Sequence, residues 1–349
     1  MKILLTGATG FVGAHVLRHF SEAHQVTVVA RQAEPPKTMQ PFLSDYIRAD
    51  IAENMPHWSG DACIHVAGLA TDKAGYADLY AANVLGSRHL FEAADCPHFI
   101  QISSASVYDD HNPMHREDDE IPLDQLSLYG KTKRQAELEL LKINDLQKRH
   151  LTILRPRAIY GTGDRVILPR LLNFGKNGKI IAPGDLNVRL SMTHVQNLVQ
   201  AIALSLDKPE QGSRIFNVAD AEPYLLRHVL LELHKVIRGG NWQVKSLPVA
   251  PLLLLANVLE TLGFHSKLTQ QSIRYLTRDG VLNTAAISQN LGYQAHFDFF
   301  SSLPAISEWV KKVGIERVAA AEVDLPWVYG SNVEGIRSAF LGTTFGENL

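Results

Sequence analysis

The stretch Thr6-Gly7-Ala8-Thr9-Gly10-Phe11-Val12-Gly13 decides how the rest of the chain is read. It follows a short apolar run at residues 2–5 and precedes an amphipathic helical pattern at 11–20. A glycine-rich turn in that place lets the backbone come close to a phosphate, and the helix N-terminus adds free N–H groups and positive potential. The spacing is GxxGxxG rather than GxGxxG, and its setting between strand and helix marks it as a pyrophosphate cradle. Gly7, Thr9, Gly10, Phe11, Val12 and Gly13 are therefore the first candidate cofactor-binding residues.

Outward from the cradle, short apolar runs alternate with helical patterns. Strands are expected at 26–30, 62–66, 99–103 and 151–154, and helices at 79–94 and 128–141. This rhythm implies an α/β fold, a Rossmann-type doubly wound parallel sheet with ligands at the carboxyl ends of its strands. Beyond residue 160 the rhythm gives way to Gly- and Pro-rich loops mixed with helices. The expectation is a dinucleotide-binding domain at 1–160 and a smaller substrate-binding domain at 161–317, with the run at 215–219 returning to the main sheet. Residues 318–349 follow a natural helix stop at 309–312 and read as a tail without an assigned role.

Composition narrows the function. The 349 residues are 46% hydrophobic and 20% charged, which is the make-up of a soluble globular protein. Lys and Arg total 34 against 36 Asp and Glu, and a net charge of −2 argues against a dedicated nucleic-acid or anionic-membrane binder. The apolar run at 249–256 is interrupted by Pro251 and is far short of the ~20 residues of a membrane span. Cys63 and Cys96 form no CxxC pair, which excludes structural zinc on spacing and points to a reduced, cytoplasmic protein. No metal site is expected. His15 and His19 read as a solvated helix face, and His111 and His115 as a flexible charged loop where a lid over the substrate would lie.

The second expected strand ends in Ala30-Arg31, where a dinucleotide site more often carries an acid about 20 residues past the glycines. A guanidinium suits a 2′-phosphate, which favours NADP(H) over NAD(H), although a surface arginine without that role fits the position too. Asp50 and Ile51 read equally as an adenine clasp and as a loop whose aspartate caps a turn. Further on, Tyr129 and Lys133 fall at i, i+4 on one helix face. A phenol with a reference pKa of ~10 needs a neighbouring positive charge to exchange protons near neutrality, and a lysine one turn away supplies it. Ser104 follows a strand, where a hydroxyl can bond a reacting oxygen. Asn83 reads either as support for a relay or as an ordinary helix residue.

Together TGATGFVG at 6–13, CIHVAG at 63–68, ISSASVY at 102–108, YGKTK at 129–133 and LRPRAIYGTGD at 154–164 resemble the extended short-chain dehydrogenase/reductase family, over about residues 1–317. The resemblance implies that Tyr129 is the acid/base and that Lys133 bonds the nicotinamide ribose. It also implies that Ser104 polarises the substrate oxygen, that His65, Val66 and Ala67 line the cofactor, and that Pro156-Arg157-Ala158 reaches the nicotinamide end. Where nucleotide-sugar dehydratases of the family carry Thr-Asp-Glu, this chain has Ser104-Ala105-Ser106. Ala158 replaces an asparagine often used on sugar nucleotides, and Leu190 stands where an arginine would grip a diphosphate. The remaining pattern is similar to the 3β-hydroxysteroid dehydrogenase-like branch. There the apolar segment at 248–264 would flank the entrance for an apolar alcohol or ketone; a buried core helix is the other reading of that segment. The resemblance also implies a homodimer paired through the helices carrying Asn83 and Tyr129. Two alternatives stand beside the dehydrogenase: a nucleotide-sugar 4-epimerase that retains NAD, and a dinucleotide-binding sensor or scaffold.

Overall fold

The computed structural model describes residues 1–71, 74–108, 112–262 and 269–323. Seven strands form one sheet: β1 (Lys2–Thr6), β2 (Gln25–Ala30), β3 (Asp45–Arg48), β4 (Ala62–His65), β5 (His98–Ile102), β6 (His150–Pro156) and β7 (Gly212–Val218). Their spatial order is β7-β6-β5-β4-β1-β2-β3, and every pair is parallel. The doubly wound sheet expected from the alternating pattern is present, with boundaries shifted by a residue or two.

Side-chain alternation explains why both faces are covered. Ile3, Leu5, Val26, Val28 and Ile64 belong to one buried cluster, whereas Leu4, Val29 and Cys63 belong to another on the opposite face. Strands apolar on both faces must be sandwiched between helices. On the first face lie α1 (Phe11–Phe20) and, from further along, helices at Val195–Asp207 and Ala285–Leu291. On the other face α2 (Tyr76–Tyr80) continues through a π turn at Ala81–Leu85 into α3 (Gly86–Ala93), beside α4 (Leu128–Gln147). Leu90 and Phe91 of α3 and Leu140 of α4 enter the second cluster.

Strand order reverses between β1 and β4, so the crevice at the carboxyl ends of these two strands is where an open α/β sheet receives its ligand. The first cluster draws on residues well past 160, including Leu198, Val218 and Ile287. A separate core gathers α5 (Ile167–Asn173), α7 (Leu226–Arg238) and the helix Phe299–Val313, whereas α6 (Val195–Asp207) belongs to the first cluster. Val318, Ala319 and Val323 are buried in that core, so the chain stays packed as far as Val323. The rest of the expected tail, 324–349, lies outside the described residues.

The helix α8 (Val249–Thr261) is not a buried core helix: Leu254, Leu255 and Val258 are exposed, and Ala256 is its buried residue. That excludes the second reading of the 248–264 segment for the described part, while 263–264 lie outside it. No helix among the described residues is long and apolar enough to cross a membrane.

Candidate active site

The glycines of the cradle have different duties. Gly7 sits at φ +76°, and a Cβ on it would lie 2.7 Å from the Ala67 nitrogen, so the loop after β1 lies directly against the loop after β4. A Cβ on Gly13 would collide with the Gly7 carbonyl, whereas one on Gly10 would stay 3.3 Å from it. Gly10 donates to the Gly7 carbonyl at 2.9 Å and is the N-cap of α1, with no side-chain cap and no acid in the first turn. The helix therefore presents its first-turn N–H groups and dipole to an anion without competition from a side chain. These residues fit a dinucleotide pyrophosphate. Phe11 packs edge-on against His15 at 5.4 Å, and Thr9 and Val12 are half-buried beside them.

Beneath the cradle runs a hydrogen-bonded chain. Ser87 donates its hydroxyl to the Asn83 carbonyl at 2.6 Å, so it accepts from Nε2 of His65 at 3.0 Å. Nδ1 then accepts from the Thr6 hydroxyl at 2.7 Å, whose oxygen accepts from the Ala67 N–H at 3.1 Å. Burial, aided by the Lys133 ammonium, pulls His65 down to about 3, which keeps the ring neutral as this chain requires. His65 is wholly buried under the loop, and Val66 and Ala67 carry the chain to its edge.

The second part of the site is set by α4. Ser127 caps the helix, accepting from the Gly130 N–H at 3.1 Å. A Cβ on Gly130 would strike the Ser106 carbonyl, so this glycine lets the first turn of α4 press on the turn Ala105–Val107. That contact brings the segment carrying half-buried Tyr129 to the segment carrying Ser104. The Ser104 hydroxyl bonds Ser106 Oγ at 3.1 Å. One helical turn after Tyr129, buried Lys133 donates to the Ile102 carbonyl at 2.7 Å. Burial lowers its pKa to about 8 although Glu137 pulls the other way, so its charge is present below about pH 8.

Asn83 stands in the π turn, and its side chain is a clamp: Oδ1 accepts from the Leu69 N–H at 2.8 Å, and Nδ2 donates to the Leu69 carbonyl at 3.2 Å and to Thr132 Oγ1 at 3.1 Å. It ties the loop after β4 to α4 close to Lys133.

A buried polar network behind these residues escaped the sequence reading. Arg155, wholly buried at the end of β6, makes two parallel bonds to Glu137 at 2.9 and 2.7 Å. Ser103 and Arg134 also bond Glu137, at 2.6 and 3.0 Å. Burial would push the Glu137 carboxyl up, but Arg155, Ser103 and Arg134 together outweigh it and hold the group below its usual value. Arg155 further donates to the Tyr108 hydroxyl at 2.8 Å and the Glu117 carbonyl at 3.0 Å, and Tyr108 donates to Asn217 at 2.7 Å. The signal was a lone arginine ending an apolar strand, with Glu137 one turn beyond Lys133 on α4.

Two histidine expectations need correction, and the remaining singled-out residues fall as follows. His15 is not on a solvated face: it is buried, bonds the Thr162 carbonyl at 3.0 Å and Gln196 at 3.1 Å, and is pulled by burial to about 4; His19 is exposed. His115 is not in a flexible loop either. It is buried and stacked on Tyr108 at 4.7 Å, in a short strand paired with Val281–Leu282, while His111 lies outside the described residues. Asp50 caps its own turn through Ala52 N–H at 3.0 Å and stands 3.9 Å from the exposed Arg31 guanidinium. Ile51 packs toward Gly86 and accepts from His89 at 3.0 Å through its carbonyl. Pro156 pairs with Val218 at the sheet edge, and Ala158 adopts a left-handed φ of 45°. Cys63 and Cys96 are buried free thiols, which burial pushes up.

The model of the family described as NAD dependent epimerase/dehydratase matches residues 3–219, which holds the whole sheet, the cradle and α4. The chain belongs to this NAD dependent epimerase/dehydratase family. It is thus an enzyme of the extended short-chain dehydrogenase/reductase type, as its motifs implied, and uses a nicotinamide dinucleotide. Relatives of this family member include an uncharacterized Escherichia coli protein, YbjS, 27% identical over 90% of this chain and 99% of the other. A 2-alkyl-3-oxoalkanoate reductase of Stenotrophomonas maltophilia is 28% identical over 67% of this chain and 74% of the reductase. Among solved structures, UDP-glucuronic acid 4-epimerase from Bacillus cereus in complex with NAD shares the fold with a TM-score of 0.66 at 20% identity, over 90% of this chain and 98% of that one.

Proposed function

We propose that the protein transfers hydride between NADP(H) and a secondary alcohol or ketone carbon on an apolar small molecule. The observation that carries this reading is the close approach of Gly130 to Ser106, which sets the helix of Tyr129 and Lys133 against the Ser104 turn at the carboxyl edge of the sheet. A nicotinamide dinucleotide held by the Gly7–Gly10–Gly13 loop supplies or accepts the hydride. Tyr129 gives a proton to the oxygen of a ketone, or takes one from an alcohol. The Lys133 ammonium favours the phenolate form of Tyr129, Ser104 holds the reacting oxygen, and Asn83 positions α4 through Thr132. The reductase relative acts on an oxo group with an alkyl body, which supports the alcohol/ketone chemistry over epimerisation.

Preference for NADP(H) rests on Arg31, just past β2, whose side chain is 81% exposed and paired with Asp50 only at 3.9 Å, a contact that a 2′-phosphate would compete with. Buried thiols suit a reducing, cytoplasmic setting. Exposed Tyr76 on α2 with Leu128 and Leu138 on α4 supports a homodimer paired through these helices.

The deciding experiment is Tyr129→Phe assayed on a panel of apolar alcohols, with nucleotide binding followed in parallel. Turnover should fall ~10²–10⁴-fold with nucleotide affinity retained. A variant that keeps its activity sinks the reading, and stoichiometric NAD released from freshly denatured protein would favour the epimerase.

A further inference from the structure

Arg155 and Arg157 are two residues apart and differ in one respect. The Arg155 guanidinium is saturated by Glu137, Tyr108 and the Glu117 carbonyl. The Arg157 guanidinium has no hydrogen bond or ion pair to any of the described residues, although it is partly buried and its environment disfavours the charge through burial, with the Tyr275 phenol acting the other way. A guanidinium stays charged at any physiological pH and carries five N–H donors. A guanidinium partly withdrawn from water, with no anion among the described residues beside it, keeps N–H donors to offer a ligand, and the fold holds it there.

The fold does so from three sides. Thr193 accepts from the Arg157 N–H at 3.1 Å and donates to its carbonyl at 2.9 Å. The next residue, Ala158, turns the chain through its left-handed φ of 45°. The side chain runs past Gly280, where a Cβ would lie 2.8 Å from Arg157 Cζ, so the space for the guanidinium exists because residue 280 has no side chain. Gly280 is itself pinned by its N–H to the Arg189 carbonyl at 2.9 Å and by its carbonyl accepting from Ser191 at 3.0 Å. Two residues on, Leu282 packs with Ala105 and Val107, the turn that follows Ser104. The cation, without a partner among the described residues, therefore lies on the substrate side of the site.

We propose that Arg157 is a specificity-determining residue that receives a carboxylate of the substrate, so that the molecule oxidised or reduced is an apolar hydroxy or oxo acid. This rests on the hydride-transfer reading above and narrows its substrate. A single fork-shaped guanidinium matches one carboxylate bidentately. A sugar diphosphate would call for a further cation at position 190, which is leucine; exposed Arg189 stands one position earlier, so the UDP arm of the test tells the two ligands apart.

The test compares two alcohols that differ only by the carboxylate, 3-hydroxydecanoate and 2-nonanol, with NADP⁺ and with NAD⁺, alongside direct binding of decanoate and of UDP to the nucleotide-saturated protein. The wild-type protein should favour the acid by about ten- to a hundredfold in kcat/KM, the range of one charge-assisted pair. Arg157→Gln should bring that ratio near parity and weaken decanoate binding by at least about tenfold, and Arg157→Lys should keep part of both. Thermal melts of the variants confirm folding, and Arg157→Lys serves if the neutral variant does not fold. Equal decanoate binding by folded wild-type and Arg157→Gln proteins overturns the proposal, as does UDP binding that depends on Arg157 while decanoate binding does not. If neither alcohol is oxidised but decanoate binding depends on Arg157, the receptor stands and the hydride-transfer reading falls.

Discussion

The cradle and the substrate side of this site are held in place by different means. The cradle is made by backbone: Gly7, Gly10 and Gly13 are close neighbours in sequence, and the loop after β4 meets them where side chains are missing. The substrate side is made by side chains that arrive from distant segments. Glu137, Arg155, Tyr108, Glu117 and Asn217 form one buried network, and Arg157 sits in space left by Gly280. A backbone device tolerates little change at a few positions and is indifferent elsewhere. A side-chain network spreads its sensitivity, and its weakest point is any partner whose loss strands a buried charge.

The sharpest way to break the comparison is at Gly13. Gly13→Ala puts a methyl group onto the Gly7 carbonyl, and backbone there has nowhere to go. Nucleotide binding should vanish in titrations; a variant that still binds with wild-type affinity would mean the loop is not the cradle. Next comes Glu137→Leu, which leaves Arg155 buried without its carboxylate. It should cost about 3–5 kcal/mol in urea unfolding. A loss below about 1 kcal/mol would show that the network does not hold the substrate side.

Acidity separates the two regions more gently. His65 and His15 are kept neutral in the folded protein, with values pulled to about 3 and about 4 chiefly by burial. The unfolded chain takes up these protons near pH 6.5, so stability falls as pH drops below that point. Each histidine should contribute up to about 1.4 kcal/mol per pH unit. The Glu137 carboxyl is held below its usual value, so its contribution is present above the ordinary carboxylate range and is lost as pH falls from that range through its own lower value. Unfolding midpoints between pH 6.5 and 5 therefore report on His65 and His15 together with His194, which burial also pulls to about 3, and His65→Gln should flatten their slope; an unchanged slope would remove His65 from the account. The smallest effect is expected at Arg31. Arg31→Ala should weaken NADPH binding several-fold and leave NADH alone, because the side chain is mostly in water. Equal loss for both nucleotides would refute the 2′-phosphate role.

Legibility in the sequence follows the same division. The cradle, the alternating strands and the Tyr129–Lys133 spacing are local patterns, and local patterns survive in one dimension. Gly130 stood in plain view between Tyr129 and Lys131, yet its role as a point of close approach needed the position of Ser106. His15 was misread because its partners, Thr162 and Gln196, come from segments 147 and 181 residues further along the chain. Arg157 was legible as a residue of the motif but not as a cation without a partner among the described residues, since that depends on what residues 275–282 bring beside it. Contacts of this kind carry no spacing rule.

The place of β7 at one margin of the sheet has a consequence for biosynthesis. A ribosome making this chain delivers the glycine loop before the loop that faces it, and both well before the sheet is complete. The last strand follows only at Gly212–Val218, and a helix that seals the first face only at Ala285–Leu291. Between those moments the nascent sheet has an open margin and an uncovered apolar face, the condition in which unfinished α/β chains stick to one another. The interval between strands six and seven is thus the stretch of synthesis during which a chaperone has the most to cover.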